Sequence, residues 1–412
     1  DSGFRACPAQ ILPGQTVSES CAASPKLRSP AFTRYNTFYG TQNFFELVNS
    51  GTRQAELKLK LYSLDGNVLK SFDVTLAPHE QKDVDINSIF MNGCKANPQF
   101  CAAFSDVDPP GKPDGVVESY GLVRLDWNDK DPNVTITGRM SIYRPDIEGG
   151  YSFGYARELR NPTFGRTFGT TNTIDPLGGD NESPNWVEVV NLDSQSQSFE
   201  VKRYSQDGVL VARETRDIPP LGGYDFEGGH RDQVTLEPTQ AVYLVEIIPL
   251  DGSKPYFSSV ARYSSTSRGG ISPKSFNFGF SVAGREGARD TLVAPITNEL
   301  ISGVGAGTLA TVGSWIEITN VRELSTRATV VFRSEGAELN RSSIILEPKS
   351  QFHFNGAALL QKGATGMVTI TSDVPGALIA NSMIYYYSAV SNKLQSAYAL
   401  PARSAGEASQ IG

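Results

Sequence analysis

A short pattern occurs three times along this chain, and no other feature restricts its possible folds as strongly. Residues 44–49 read FFELVN, residues 186–191 WVEVVN and residues 315–320 WIEITN: an aromatic, an apolar residue, Glu, two strand formers and Asn. Thirteen residues after the Asn stand YSLDGNVL (62–69) and YSQDGVLV (204–211), and twelve residues after the third Asn stands FRSEGAEL (332–339). A proline follows the Asn by 28–29 residues in every copy: Pro78, Pro220 and Pro348. Internal repetition at this scale means that one supersecondary unit has been copied, so one unit has to be explained and then placed beside its copies.

The unit reads as strands. KLKLYSLDGNVLKSFDVTL alternates apolar and polar residues on both sides of Asp65-Gly66, Asp207-Gly208 repeats the arrangement, and Glu335-Gly336 is a weaker version. Asp-Gly between alternating runs marks a hairpin, because Gly accepts the positive φ of a tight turn. Further alternating runs follow, and an aromatic strand (YSFGYARE, FNFGFSVA, LQSAYALP) closes each copy. About seven short strands in each 120–130 residues is the signature of a β-sandwich. The expected fold is all-β: three tandem antiparallel β-sandwich domains at 31–160, 161–285 and 286–412, behind an N-terminal arm of residues 1–30.

Strand alternation places Glu46, Glu188 and Glu317 on equivalent faces beside Phe44, Trp186 and Trp315. The plain reading is a glutamate at a sheet margin, paired or solvated. The sharper reading is a repeated contact surface, between domains or toward a ligand. The recurrent Asn is expected to cap a turn through its side chain.

Composition removes several classes. With 37 Lys+Arg against 44 Asp+Glu, a net charge of −7, the chain lacks the basic face of a nucleic-acid binder. No apolar run reaches the ~20 residues of a membrane-spanning helix. Four cysteines, Cys7, Cys21, Cys94 and Cys101, lie in the first quarter of the chain and read as two disulfides formed in an oxidising compartment. Of the three pairings, Cys7–Cys21 and Cys94–Cys101 close short loops bounded by turn formers, each adding ~2–3 kcal/mol. A start at Asp1 without an apolar leader is what a processed secreted chain shows.

The repeats resemble the immunoglobulin-like β-sandwich units that occur in tandem in bacterial secreted and cell-surface proteins. The resemblance rests on W-x-E-V-V-N, Y-S-x-D-G, the proline turn and strands ending V-A-R-Y or I-A-N-S, and it runs from about residue 31 onward. The first unit departs from it in having Phe44 for Trp and a disulfide-bearing insert at 92–115. The resemblance implies secretion, an immunoglobulin-like sandwich and a scaffold, adhesive or assembly role, with no catalytic residue carried over.

Few residues in the chain point to chemistry. Gly150-Tyr151-Ser152-Phe153-Gly154 matches G-x-S-x-G, yet it lies in an alternating strand with no helix after it, and the second repeat has Asn277 at the corresponding place. The three histidines, His79, His230 and His353, form no ligand pair and read as surface loop positions. Calcium is the most credible ion: Asp126, Asn128, Asp129 and Asp131 fall within six residues, and Asp106, Asp108 and Asp114 form a second run, although Asp is also an ordinary turn residue. Tyr385, Tyr386 and Tyr387 offer aromatic faces for a sugar, against a reading as core aromatics with one edge tyrosine. No enzyme is expected. The expected function is a secreted structural or adhesive component acting through other protein subunits, copies of itself included, with residues 1–30 a candidate strand donor. A carbohydrate-binding protein is the alternative.

Overall fold

The structure is a computed structural model describing residues 27–37, 41–89, 120–145, 151–172, 185–228, 242–265, 276–298, 301–302, 309–387 and 394–405. The four cysteines, the 92–115 insert, residues 1–26, His230 and the Asp106, Asp108 and Asp114 run lie outside the described residues.

Alternating sequence becomes strand throughout. The first repeat contains β1 (Ala31–Asn36), β2 (Gln42–Asn49), β3 (Ala55–Ser63), β4 (Val68–Leu76), β5 (Gln81–Asp85), β6 (Tyr120–Trp127), β7 (Ile136–Pro145) and β8 (Tyr151–Glu158). The second contains β9 (Thr167–Asn172), β10 (Asn185–Asn191), β11 (Gln197–Ser205), β12 (Leu210–Ile218), β13 (Gly223–Glu227), β14 (Val242–Pro249), β15 (Tyr256–Ser265) and β16 (Phe276–Ala283). The third contains β17 (Leu292–Thr297), β18 (Ile301–Ser302), β19 (Leu309–Asn320), β20 (Thr326–Ser334), β21 (Ala337–Leu346), β22 (Gln351–Asn355), β23 (Thr365–Ser372), β24 (Leu378–Tyr387), β25 (Leu394–Pro401) and β26 (Arg403–Ser404).

The strand order is the same in each repeat. One antiparallel sheet runs β1-β6-β3-β4, matched by β9-β14-β11-β12 and by β17-β23-β20-β21, where β26 adds to β17. The other runs β5-β2-β7-β8, matched by β13-β10-β15-β16 and by β19-β24-β25 with β22 on β19. Inward side chains of the two sheets share one core. Phe45, Leu47 and Met140 meet Leu57, Leu59 and Val123 in the first repeat, and Val187 and Phe226 meet Phe199 and Val245 in the second. In the third, Ile316 and Ile318 meet Val330 and Val368. Burying two apolar faces against each other is what stabilises such paired sheets.

Register fixes which residues correspond. Arg139, Ser259 and Asn381 stand opposite Glu46, Glu188 and Glu317 on one side. Asp83, Asp225 and His353 stand opposite them on the other. Each hairpin shifts register at the same place, which makes Tyr62, Tyr204 and Arg333 equivalent. The residue two past the last full strand returns to the first strand, as Phe32↔Arg160, Phe168↔Arg285 and Val293↔Arg403.

Candidate functional site

The polar chemistry of the described residues concentrates where one repeat meets the next. The junction is organised by the repeated Asn. Asn49, Asn191 and Asn320 are fully buried. The Asn191 amide donates to the Gln195, Ile218 and Pro219 carbonyls (2.7, 3.0 and 3.1 Å) while its Oδ1 accepts from Asp193 N (2.8 Å). Asn320 repeats this on Leu324, Leu346 and Glu347, and Asn49 on Arg53, Leu76 and Ala77. The side chain thus ties the strand end to the proline turn. In that turn His79, Leu221 and Lys349 each hold a left-handed backbone, φ 58°, 57° and 59°.

Two of these three turns plug into the preceding repeat. Gly223 N donates to Leu64 O (2.7 Å), and Gln351 N donates to Gln206 O (2.8 Å), so each Asp-Gly hairpin turn docks on the following proline turn. Gly66 and Gly208 have φ of 79° and 84°, and a Cβ there would lie 2.0 Å from Pro220 O and 2.1 Å from Pro348 O. Glycine is demanded twice over, by backbone conformation and by close approach. The connecting chain repeats too: Thr163 N donates to Tyr256 O and Ala288 N to Leu378 O, both 2.8 Å.

Beneath these contacts lies a small apolar patch. At the first junction Phe32, Tyr62 and Leu122 pack on Val190, Leu192 and Phe257, with Leu221 against them. At the second, Phe168, Tyr204 and Leu244 pack on Val321 and Ile379. Lys349 there replaces Leu221. Its buried ammonium lies over the Phe168 and Tyr204 rings (5.1 and 5.5 Å), 3.4 Å from Glu246 Oε1, and donates to Val321 O (2.8 Å).

The repeated glutamates form the ionic part. Glu188 is buried against the first repeat: Arg157 Nη2 donates to its Oε1 (2.9 Å), Arg157 Nη1 and Ser259 Oγ donate to its Oε2, and Arg34 Nη1 lies 3.4 Å away. Arg34 also donates to Asp225 (2.9 Å), so two acids meet two guanidiniums. Glu317 is buried against the second repeat, taking both Nη groups of Arg262 (3.2 and 3.1 Å), Thr170 Oγ1 (3.0 Å) and Asn381 (3.4 Å). Burial alone would raise both carboxyls. The guanidiniums, Arg157 then Arg34 for Glu188 and Arg262 for Glu317, more than offset it and hold each at about 2. Burial raises Asp225, with Glu188 adding to the effect of burial against Arg34. Glu46 of the first repeat bonds within its own sheet, to Arg139 Nε (2.7 Å) and Ser141 Oγ, with the Arg139 side chain 57% exposed.

Phe44 packs edge-on to Tyr143 (6.0 Å), Trp186 is half-buried, and Trp315 joins an aromatic cluster with Phe278, Phe280 and Met383. Tyr385 and Tyr387 are buried in that cluster and present no ring face to a sugar, because Phe278, Phe280 and Val282 of the preceding repeat pack in the same cluster. Tyr386 is half-buried and shares a hydroxyl contact with Tyr398 (3.2 Å). The calcium candidates do not converge. Asp126 pairs with Arg124 (2.7 Å) and Lys60 (3.4 Å), Asn128 accepts from Lys130 N, Asp129 from Ser29 N and Asp131 from Asn133 N. Among the described residues no group of three or more His, Cys, Asp or Glu is arranged to hold a metal ion. Tyr151 to Gly154 lie in strand β8, His79 is exposed on its turn, and His353 is half-buried beside Gln351 (3.4 Å). Sequence reasoning missed Arg34, Arg157, Arg262, Glu246 and Lys349. Arg157 and Arg262 occupy non-equivalent strand positions, so no repeat alignment marks them.

No family model matches the chain, and no curated protein does. Among solved structures, an anti-sigma factor domain-containing protein aligns over 63% of this chain and 94% of its own at 12% identity and a TM-score of 0.12, a likeness too slight to carry an argument. No helix among the described residues is long and apolar enough to cross a membrane.

Proposed function

We propose that the chain is a secreted structural or adhesive component of a bacterial surface or extracellular assembly, built as three tandem immunoglobulin-like β-sandwich units that act through protein–protein contacts. The observation that carries this reading is the junction made twice over with equivalent parts. A hairpin turn sits on a proline turn, an apolar patch lies below, and a glutamate is gripped by arginine from the preceding repeat. Such a junction costs conformational freedom and delivers stiffness, which suits a spacer or scaffold that holds surfaces at fixed separations. The junction carboxylates Glu188 and Glu317 are neutralised by arginines of the preceding repeat, which favours a structural role for them over substrate chemistry.

Negative-stain imaging of native material, with a glycan array run on the same preparation, tests the reading. Assemblies or surface structures containing the chain, with a blank array, support it. Isolated particles with a specific glycan signal overturn it in favour of carbohydrate binding.

A further inference from the structure

The junctions set acids of one repeat against bases of the other. At the first, Glu188 and Asp225 of the second repeat face Arg34 and Arg157 of the first, two acids on two bases. At the second, Asp225 is replaced by His353 and Arg34 by Thr170, Glu317 pairs with Arg262, and Lys349 of the third repeat pairs with Glu246 of the second. The buried carboxylates Glu188 and Glu317 are each met by a cation of the preceding repeat, because an uncompensated buried charge is strongly destabilising.

The leading face of the first repeat carries the same acidic pair as the second. Glu46 corresponds to Glu188 and Asp83 to Asp225, at identical register positions flanking one another across β2 and β5. Asp83 is exposed, and Glu46 holds only the half-exposed Arg139 and Ser141 of its own sheet. The apolar plug positions have changed character: Leu221, Leu192 and Phe257 become His79, Ser50 and Thr137. A face that stands in water when unoccupied tolerates those residues, whereas the apolar set would be an exposed patch.

We propose that this face, centred on Glu46 and Asp83, is a docking surface for a β-sandwich unit of another chain that presents two arginines at the positions Arg34 and Arg157 hold in the first repeat. The occupant is set by continuity with the first junction, where the same acid pair is seen gripping such a pair of guanidiniums. A second copy of this chain does not supply it. On the third repeat the equivalent positions are Pro295 and Leu400, and Arg333 stands where Tyr62 and Tyr204 form the apolar platform. That trailing face leaves Met367 44% exposed where Leu122 and Leu244 are buried. The inference deepens the scaffold reading by naming the chemistry of its partner subunit.

The test converts the third repeat into a donor in the full chain. Pro295→Arg, Leu400→Arg and Arg333→Tyr together place the two guanidiniums and the tyrosine of the first repeat's trailing face on the third, and light scattering reads association. The proposal expects the unaltered chain to show no association through these ends. It expects the triple variant to reach at least twice the monomer mass, losing this on addition of salt and on adding Glu46→Gln with Asp83→Asn. A triple variant that stays monomeric, or one whose association survives Glu46→Gln and Asp83→Asn, overturns it. Either failure leaves the scaffold reading intact, since that reading stands on the imaging of native material.

Discussion

Arg34 and Thr170 hold the same position on the first strand of successive repeats, and each reaches the glutamate of the repeat that follows, Glu188 and Glu317 respectively. The cation differs in origin while the socket is retained. At the first junction the guanidiniums come from β1 and β8, and at the second the guanidinium comes from β15. What the repeats share is therefore the place where a buried carboxylate must be neutralised.

Arg262→Met leaves Glu317 buried and unpaired. It should lower the stability of the chain by about 3–5 kcal/mol in urea denaturation, whereas Arg262→Met with Glu317→Leu should recover most of that loss. Glu46→Gln removes only a surface pair and should change stability by less than about 1 kcal/mol. Equal effects at Glu46 and Glu317 would contradict the burial argument.

Acid should loosen the second junction through Glu317. An unfolded glutamate titrates near ~4.3, and in the fold Glu317 titrates at about 2. The ionised group thus contributes its full stability above the unfolded value and loses it as pH falls toward the folded one. By linkage this amounts to about 3 kcal/mol between roughly pH 4.3 and 2. Glu317→Gln should flatten that acid limb in denaturation curves recorded across this window. The first junction should respond less cleanly, because Asp225 has the opposite shift and contributes in the opposite sense.

Alanine at Gly66 or Gly208 should destabilise far more than alanine at Gly336. All three have positive φ, near 80°, which alone costs an alanine about 1–2 kcal/mol. Only Gly66 and Gly208 also bring a carbonyl within 2.0–2.1 Å of the added carbon, while Gly336 has nothing within 4 Å. Melting temperatures of the three variants check this ordering.

Asn191→Ala removes one amide that satisfies three carbonyls and leaves them buried. The expected loss is at least about 2 kcal/mol, read from the denaturation midpoint, since each unsatisfied buried group costs ~1–3 kcal/mol.

Much of this architecture is legible in the chain itself. The alternation around Asp65-Gly66 and Asp207-Gly208 announces the β3–β4 and β11–β12 hairpins, and the W-x-E-x-x-N spacing marks the central strands β10 and β19. The faces of those strands follow from period-two geometry, which is local. The partners of Glu188 and Glu317 are not local: Arg157 lies 31 residues away and Arg262 lies 55 away, in neighbouring repeats. Periodicity within one repeat carries no trace of such pairings. The tyrosines of β24 show the same limit, because one period-two face is core and neighbour contact at once. Only the packing of β16 decides that Tyr385 and Tyr387 are covered.

The central claim is that the repeats are locked to one another by their turns. Hydrogen exchange at the amides of Gly223 and Gln351 measures this most directly, since each donates across a junction to the preceding hairpin turn. Protection comparable to that of the Val189 and Ile318 amides in the central strands is the predicted result. Exchange at the rate of an unstructured loop at both positions would contradict it, and would mean that the repeats move independently.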